Sequence, residues 1–309
     1  MRRVNGLHHI TAIAGPAQEN LDFYAGVLGM RLVKKSVNQD DPGTYHLFYA
    51  DAEGRPGTDL TFFPWPRLAP PRLGHGLAVE VGLEVPADSL SFWGARLEKY
   101  GARLDASETR FGARVLPVVD PHGLRLALVE ATPGSTRPFT PWEGSSVPAE
   151  HQVRGLHGGR LWERDEQLTA SFLTTVLGLT RLGSENGWTR FGFEDAGVVD
   201  IRAAREPRGA WGSGAVHHLA WRVDDEAHQL EMRARIEAAG IAATPVIDRF
   251  WFKSVYFKEP GGVLFELATE GPGFATDEDP AHLGESLVLP PWLEASRARI
   301  EDVLPPLTR

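Results

Sequence analysis

Alternating apolar and polar residues predict that the chain opens with a β-strand over residues 5–13, which read NGLHHITAI. A helix is expected next. Pro16 suits a helix start, Gly29 suits a helix end, and the apolar residues between them follow helical spacing. Three strand-like runs follow, at residues 31–38, 44–51 and 58–64. The first part of the chain therefore reads as one β-α-β-β-β unit.

The same order of elements recurs three more times, in units that begin near residues 76, 154 and 214. Each predicted helix again ends at a glycine, and Asp88 is expected to cap the helix of the second unit. Such a unit cannot bury the apolar face of its sheet alone, so the units should pair. We therefore predict an α+β fold in which four β-α-β-β-β modules pair into two curled mixed sheets around a cavity. A single α+β domain with chance similarity between segments is the alternative.

A polar, proline-rich stretch, TPGSTRPFTPWEGSSVPAEH, separates the second unit from the third. We expect an N-terminal domain over residues 1–135, a linker over 136–152 and a C-terminal domain over 153–271, with two modules in each domain. Residues 272–309 are predicted to form a tail that is acidic at first and then amphipathic.

Composition narrows the classes of function. Of the 309 residues, 42% are hydrophobic and 24% are charged, which is ordinary for a globular protein. The net charge of −9, with no basic run, argues against nucleic-acid and anionic-membrane partners. The absence of cysteine excludes disulfides, thiolate catalysis and cysteine-ligated metal. No apolar stretch is typical of a signal peptide or a membrane span, so a cytoplasmic protein is expected, and homo-oligomer formation is left open.

Candidate chemistry lies in the first strands of the units. The histidine pairs His8-His9 and His217-His218 occupy equivalent places in the first and fourth units. Neighbouring residues on a strand point to opposite faces, so the two members of a pair are not expected to enter one cavity. One member should be a ligand and the other should support it.

The second and third units keep a single histidine at this place, which we align as His75 and His157, each followed by glycine. The last strands show a parallel contrast. Glu266 of the fourth unit lies in the apolar run VLFELA, whereas Ala127 of the second unit stands at the matching position. A carboxylate is costly to bury unless it is paired or binds metal.

One complete set of candidate metal ligands survives this comparison: His9, His218 and Glu266. Two neutral imidazoles and one carboxylate leave positions on a divalent metal open for substrate and O2, which is typical of non-haem Fe(II) oxygenases. Mn, Zn or Ni are alternative metals, and Zn or Ni would suit Lewis-acid isomerase chemistry. Structural zinc is disfavoured because no fourth protein ligand is evident.

The chain resembles the vicinal oxygen chelate (glyoxalase/extradiol dioxygenase) superfamily, and within it the ring-cleaving hydroquinone dioxygenases. The resemblance covers nearly the whole chain and rests on the segments GLHHITAI, FYAGVLGMRLVKKSVNQDDPGTYHLFYAD, VHHLAW and LVLPPWLE. It implies an Fe(II) site built from the same three ligands. It also implies roles around that site for five residues, namely His8, Thr11, His217, Arg249 and Tyr256.

We expect His8, His217, Arg249 and Tyr256 to be catalytic, since an arginine can hold a phenolate oxygen and a tyrosine can protonate an intermediate. Contacts with a flat aromatic substrate are expected from Thr11, Trp251 and Phe257. The predicted function is an Fe(II)-dependent ring-cleaving dioxygenase that acts with O2 on a hydroquinone- or catechol-type aromatic. The alternatives are a glyoxalase-type isomerase or lyase, which usually needs two carboxylates, and a non-catalytic binder of quinones or drugs, which commonly loses the ligands.

Overall fold

The computed structural model of the protein describes residues 2–132, 135 and 137–308. In this part of the chain the strands are β1 (Leu7–Ala14), β2 (Arg31–Asn38), β3 (Asp41–Ala50), β4 (Asp59–Pro64), β5 (Leu77–Val85), β6 (Arg103–Leu104), β7 (Glu108–Arg110), β8 (Ala113–Val119), β9 (Arg125–Glu130), β10 (Gly155–Glu163), β11 (Thr180–Glu185), β12 (Trp188–Phe193), β13 (Gly197–Ala203), β14 (Val216–Val223), β15 (Ile247–Asp248), β16 (Lys253–Lys258) and β17 (Leu264–Thr269). The helices are α1 (Ala17–Leu21, continued by a π-helical turn over Asp22–Val27), α2 (Leu90–Lys99), α3 (Glu166–Thr175), α4 (Glu226–Ala238) and α5 (Arg297–Val303). Short 3-10 turns lie at Ala149–His151, Phe274–Thr276, Pro280–His282 and Pro291–Ser296.

Two mixed sheets carry the fold, and each sheet joins two modules. The first sheet has the order β15-β16-β17-β14-β1-β4-β3-β2, so it pairs the fourth module with the first. The second sheet has the order β11-β12-β13-β10-β5-β9-β8-β6, with β7 paired to β8, so it joins the third module to the second. The predicted α+β fold of four paired modules is confirmed.

The predicted domain boundaries remain a prediction. Each of the two sheets contains strands from both halves of the chain. Residue 136, where the predicted linker begins, lies outside the described residues. No helix of the described part of the chain is long and apolar enough to cross a membrane.

Glycines end the module helices because the chain must turn there with a positive φ. Gly29, Gly101, Gly178 and Gly240 have φ between 68° and 82°, a conformation that costs other residues energy. The cap predicted for α2 is wrong: Asp88 itself has a φ of 61°, and Ser89 occupies the N-cap position.

The two faces of the first sheet have different surroundings because strand residues alternate. Ile10, Leu219 and Phe265 belong to the main apolar core, to which helix residues such as Met232 and Ile236 also contribute. His9, His218 and Glu266 lie at alternate positions and therefore point to the other face. The polar residues of the candidate site thus share one face of a sheet whose other face is anchored in the core.

Candidate metal centre

The three predicted ligands lie on three adjacent central strands of the first sheet. On β1 and β14, which run antiparallel, His9 is opposite Ala220 and Thr11 is opposite His218. On β14 and β17, which run parallel, Ala220 is beside Glu266. Strand pairing therefore brings together two histidines and a carboxylate that lie far apart in the sequence.

The donor atoms form a small triangle. Nε2 of His9 lies 3.2 Å from Nε2 of His218 and 3.3 Å from Oε2 of Glu266, and Nε2 of His218 lies 3.0 Å from the same oxygen. Donors bonded to one ion at about 2.1 Å would be roughly 3.0 Å apart on an octahedral face and roughly 3.4 Å apart in a tetrahedron. The triangle fits a first-row metal ion in either geometry. Within the described residues it is the one group of three or more metal-type ligands.

The pKa shifts of Glu266 and His218 also suit a metal. All three side chains are buried, and Oε2 of Glu266 makes no hydrogen bond with any described residue despite its nearness to both imidazoles. Its Oε1 accepts a hydrogen bond from Ser254 Oγ at 2.5 Å. Burial alone would raise the pKa of Glu266, but the two histidines outweigh burial and hold this pKa well below its usual value. Burial also lowers the pKa of His218. Metals bind the ionised carboxylate and the neutral ring.

Each predicted ligand histidine lies close to its neighbour on the strand through its other ring nitrogen. Nδ1 of His9 lies 3.0 Å from Nδ1 of His8, and Nδ1 of His218 lies 2.8 Å from Nδ1 of His217. Burial, the largest cause, lowers the pKa of both His8 and His217 to about 3. A neutral supporting ring can accept at Nδ1 from the Nδ1–H of its neighbour, and the neighbour then presents an unprotonated Nε2 of the kind that binds a metal.

The expectation that only one histidine of a pair can face the cavity is wrong for the second pair. Both His217 and His218 line the cavity, whereas His8 does not. The register between β1 and β14 skips one residue at His217 and another at His8, so both pairs lie at β-bulges. A bulge rotates the strand locally, and consecutive side chains then no longer alternate strictly.

A cavity of about 360 Å³ lies over the triangle. Its walls are largely aromatic, from Phe48, Phe63, Trp65, Trp251 and Phe252, and its polar rim comes from the turn at residues 38–41. Trp251, which is predicted to contact the substrate, therefore lines the cavity.

Two of the predicted substrate contacts lie elsewhere. Phe257 follows Tyr256 on β16 and points to the opposite face, where it packs 5.8 Å from Phe172 and 5.9 Å from Phe265, ring centre to ring centre. Its predicted role as a substrate contact is therefore wrong. Thr11 has no exposed surface, and its hydroxyl lies 2.9 Å from Nε2 of His218. Thr11 touches a ligand rather than the cavity.

Arg249 and Tyr256 both line the cavity, as the resemblance implies. Tyr256 is opposite Glu266 in the sheet, and the guanidinium of Arg249 lies 5.5 Å from the tyrosine ring. Burial first and the charge of Glu266 second raise the pKa of the Tyr256 hydroxyl, so it keeps its proton at neutral pH. Asp40 fixes Arg249 from the rim, with contacts of 2.8 and 3.2 Å.

Sequence reasoning missed His46, which lines the cavity from β3. Its ring lies 3.8 Å from that of Phe48 and 4.4 Å from that of Phe63, and its Nε2 lies 3.0 Å from the hydroxyl of Thr61. Burial, followed by the charge of His9, lowers the pKa of His46 well below its usual value. A comparison of the third strands of the modules, and of which face each residue occupies, could have found it. Trp211, stacked 4.4 Å from His217, was also missed and lies on a segment without regular structure.

The second sheet repeats the arrangement without the ligands. Strands β10 and β5 pair as β1 and β14 do, with a register skip at His157 in the place of His8. By the same register, Gly158 stands where the first sheet has His9, and Glu80 stands where it has His218. A metal triangle cannot form there.

The remaining correspondences support one part of the sequence alignment and correct another. Ala127 does stand in the place of Glu266, beside Gly82 on the paired parallel strand. The alignment of His75 with the histidine pairs is wrong, because His75 precedes β5, and the skipped residue corresponding to His217 is Val79. The Gly-His sequence at residues 74–75 is similar to that of the other units, but it lies four residues before the equivalent position, Val79.

Comparison with known proteins agrees with this architecture. The family model described as Glyoxalase/Bleomycin resistance protein/Dioxygenase superfamily matches residues 6–128 and 160–267. The chain belongs to this superfamily. The two matched segments together include strands of all four modules, so the superfamily resemblance is confirmed along most of the chain.

Within the superfamily, Bacillus subtilis MhqO, whose name describes a ring-cleaving dioxygenase, is 42% identical over 99% of this chain and 97% of its own length. The chlorohydroquinone/hydroquinone 1,2-dioxygenase of Sphingobium indicum is 34% identical over 94% of this chain and 93% of its own. A crystal structure described as a dioxygenase from Bacillus subtilis matches with a TM-score of 0.93 at 41% identity, covering 100% of this chain and 99% of that one. Glyoxalase I from Zea mays, at 14% identity and a TM-score of 0.63 over 86% of this chain and 92% of its own, shares the fold.

Proposed function

We propose that this protein is an Fe(II)-dependent dioxygenase that opens the ring of a hydroquinone- or catechol-type aromatic with O2. The observation that carries the proposal is the triangle of donor atoms from His9, His218 and Glu266, spaced 3.0–3.3 Å apart beneath an aromatic cavity. Two histidines and one carboxylate are the ligand set of non-haem Fe(II) oxygenases. The relative named chlorohydroquinone/hydroquinone 1,2-dioxygenase supports the substrate class.

His9, His218 and Glu266 are the residues that would hold the iron. When bound, Fe(II) supplies the one-electron chemistry that lets O2 react with an aromatic ring. The protein prepares the ligands: His8 and His217 fix the orientation of the two imidazoles, and Ser254 occupies the carboxylate oxygen that faces away from them. Nε2 of each ring and Oε2 of Glu266 then face one another, and the hydroxyl of Thr11 lies 2.9 Å from Nε2 of His218.

The cavity accepts a flat, small molecule. Its volume of about 360 Å³ is near the lower end of ligand pockets, which span about 300–1,000 Å³, and this favours a single aromatic ring. Phe48, Phe63, Trp251 and Phe252 present ring surfaces to it. A substituted aromatic packs well between such walls, because rings attract one another edge-to-face or offset.

Arg249 and Tyr256 act on the oxygen atoms of the ring. The arginine is always charged and stabilises the phenolate form of a bound phenol, which eases the loss of the hydroxyl proton. The tyrosine hydroxyl stays protonated and donates a hydrogen bond to an oxygen that gains negative charge. Tyr256 is opposite Glu266 in the sheet and Arg249 lies 5.5 Å from the tyrosine ring, so a substrate oxygen held by both groups is near the donor triangle.

The test is O2 consumption by protein loaded anaerobically with Fe(II) and offered a series of substituted hydroquinones and catechols. Wild type should take up O2 with at least one of them, and Glu266→Ala should lose both the iron and the activity. Phe257→Leu is the matched control for Trp251→Leu. Only the tryptophan faces the cavity, so only its replacement should raise KM.

Three outcomes would count against the proposal. Stoichiometric iron without O2 uptake on any of these rings would refute dioxygenase activity. Isomerisation of a glutathione hemithioacetal would favour the glyoxalase-type alternative. Failure to bind iron under anaerobic conditions, together with tight binding of quinones, would favour a non-catalytic binder.

A further inference from the structure

A second concave surface lies on the second sheet, on the face that corresponds to the metal cavity of the first. Arg160, Glu80 and Asp200 are neighbours across its strands, and Trp162 and Arg202 are the next pair along. This face opens into a cleft of about 590 Å³, lined by five arginines against two carboxylates. The chain carries a net charge of −9, so the cleft has the opposite sign to the molecule.

Two of the five arginines are neutralised within the protein. Arg110 is hydrogen-bonded to Glu80, and Arg160 lies 3.7 Å from Glu80 and 3.4 Å from Asp200. The other three have no carboxylate partner in the described part of the chain: Arg103, Arg125 and Arg202. A cluster of unpaired guanidinium groups in one concave surface repels itself and favours the arrival of an anion.

Two tryptophans give the cleft an apolar surface beside these charges. The guanidinium of Arg202 lies 4.7 Å from the centre of the Trp188 ring and 5.3 Å from that of Trp162. The indole N–H of Trp162 is buried and has no acceptor among the described residues. A buried donor without a partner is costly, and an acceptor atom on a bound molecule would relieve that cost.

We propose that this cleft is a second binding site, which takes an organic anion: a carboxylate carried on a flat, apolar or aromatic body. Arg202 and Arg125 bind the carboxylate, for which the planar guanidinium fork is matched in shape and charge. The tryptophans pack against the body, and the indole N–H of Trp162 donates to an oxygen. The cleft lies on the other sheet from the metal centre, so the inference does not depend on the proposed reaction.

Benzoate is the probe, measured by isothermal titration calorimetry and by quenching of tryptophan fluorescence. It should bind the wild type, and Arg202→Gln should weaken it roughly 10- to 100-fold, the loss expected for a hydrogen bond between charged groups. Arg125→Gln repeats the test at an exposed side chain whose loss does not threaten the fold. Benzyl alcohol, which lacks the charge, and inorganic phosphate, which lacks the apolar body, should both bind more weakly.

Two control variants localise the binding. Arg181→Gln removes an exposed arginine of the same sheet outside the cleft, and Arg249→Gln removes one in the metal cavity. Arg181→Gln should bind benzoate as the wild type does, and Arg249→Gln should keep the binding that Arg125→Gln weakens, losing at most benzoate bound in the metal cavity. The proposal is overturned if benzoate does not bind in the millimolar range, if Arg249→Gln rather than Arg125→Gln abolishes binding, or if phosphate binds equally well.

Discussion

Lys34 offers a direct test of how the tail supports the cavity wall. Its side chain has no exposed surface, and Nζ donates to the carbonyl of Phe274 at 3.0 Å and to Asp277 at 2.8 Å, and also to Glu278. Asp277 in turn accepts a hydrogen bond of 3.1 Å from the indole N–H of Trp251. Because Trp251 lines the cavity, one buried ammonium group links the tail to the candidate site.

Lys34→Met keeps the volume of the side chain and removes the charge. The side chains of Asp277 and Glu278 are only 16% and 9% exposed, so the variant leaves two carboxylates close together with little solvation. Removing one partner of a buried ion pair costs about 3–5 kcal/mol. We expect the lower end of that range, since both carboxylates keep some access to water. At about 2 °C per kcal/mol, Tm should fall by roughly 6 °C.

The control is Lys35→Met, on the next residue of the same strand. Nζ of Lys35 donates to the carbonyl of Glu285 in a solvent-exposed setting, so its loss should cost less than about 1 kcal/mol. Thermal unfolding followed by circular dichroism measures both variants. KM for the ring substrate should rise in Lys34→Met because Trp251 loses the support of Asp277. If the two variants melt at the same temperature, the buried ion cluster does not hold the tail as described.

Three further predictions concern single contacts. Ser254→Ala removes the donor to Oε1 of Glu266 and should weaken Fe(II) binding about 10- to 100-fold, measured by competition with a chelator; unchanged affinity would show that this bond does not orient the ligand. Glu163→Gln concerns a buried carboxyl whose pKa is raised to about 9, by burial first and by the charge of Glu259 second. In the unfolded chain this carboxyl has a pKa of about 4.3, so between the two pKa values the native state binds one more proton than the unfolded state. The stability of the wild type therefore falls as pH rises through this range. Glu163→Gln should flatten the decline of Tm between about pH 5 and pH 9, and an unchanged slope would contradict this. Asp40→Asn weakens the hold on Arg249, but Asp40 is largely exposed, so steady-state kinetics should show KM rising by no more than about fivefold with kcat nearly unchanged. A collapse of kcat would mean that Asp40 does more than position the arginine.

The sequence was sufficient to bring His9, His218 and Glu266 together because the modules repeat. Equivalent strands can be compared residue by residue. In the first strands, two units have a second histidine where the other two have glycine, and in the last strands the fourth unit has Glu266 where the second has alanine. The fold class followed from the same repetition, since a unit with one apolar sheet face needs a partner. The pairing of the first module with the fourth was a requirement of that ligand set, and the sheet order agrees with it.

Features that depend on local register could not be predicted in this way. The β-bulge at His217 turns two neighbouring histidines toward one cavity. The sequence VHHLAW contains no residue pattern that indicates this bulge. The face that Phe257 occupies follows from which residue of β16 is opposite Glu266, and only the pairing fixes that residue as Tyr256. His46 required, besides a comparison of the third strands of the modules, knowledge of the face that it occupies, and the pairing of its strand fixes that face. An alternating pattern shows that successive side chains point to opposite faces of a strand, but the pairing of the strands decides which set faces the site.

The two sheets together give a physical reason to place a cation at Glu266. In the second sheet the partly buried carboxylate of Glu80 and the buried carboxylate of Asp200 are neutralised by arginines on other strands of that sheet. In the first sheet Glu266 is more deeply buried, with no exposed surface, yet no lysine or arginine of the described residues forms an ion pair with it, and the imidazoles of His9 and His218 face it instead. An ionised carboxylate in such surroundings costs several kcal/mol unless a positive charge compensates it. Guanidinium groups of the chain meet this electrostatic demand in the second sheet, whereas in the first sheet the two histidines, together with a metal ion held by the three side chains, would meet it.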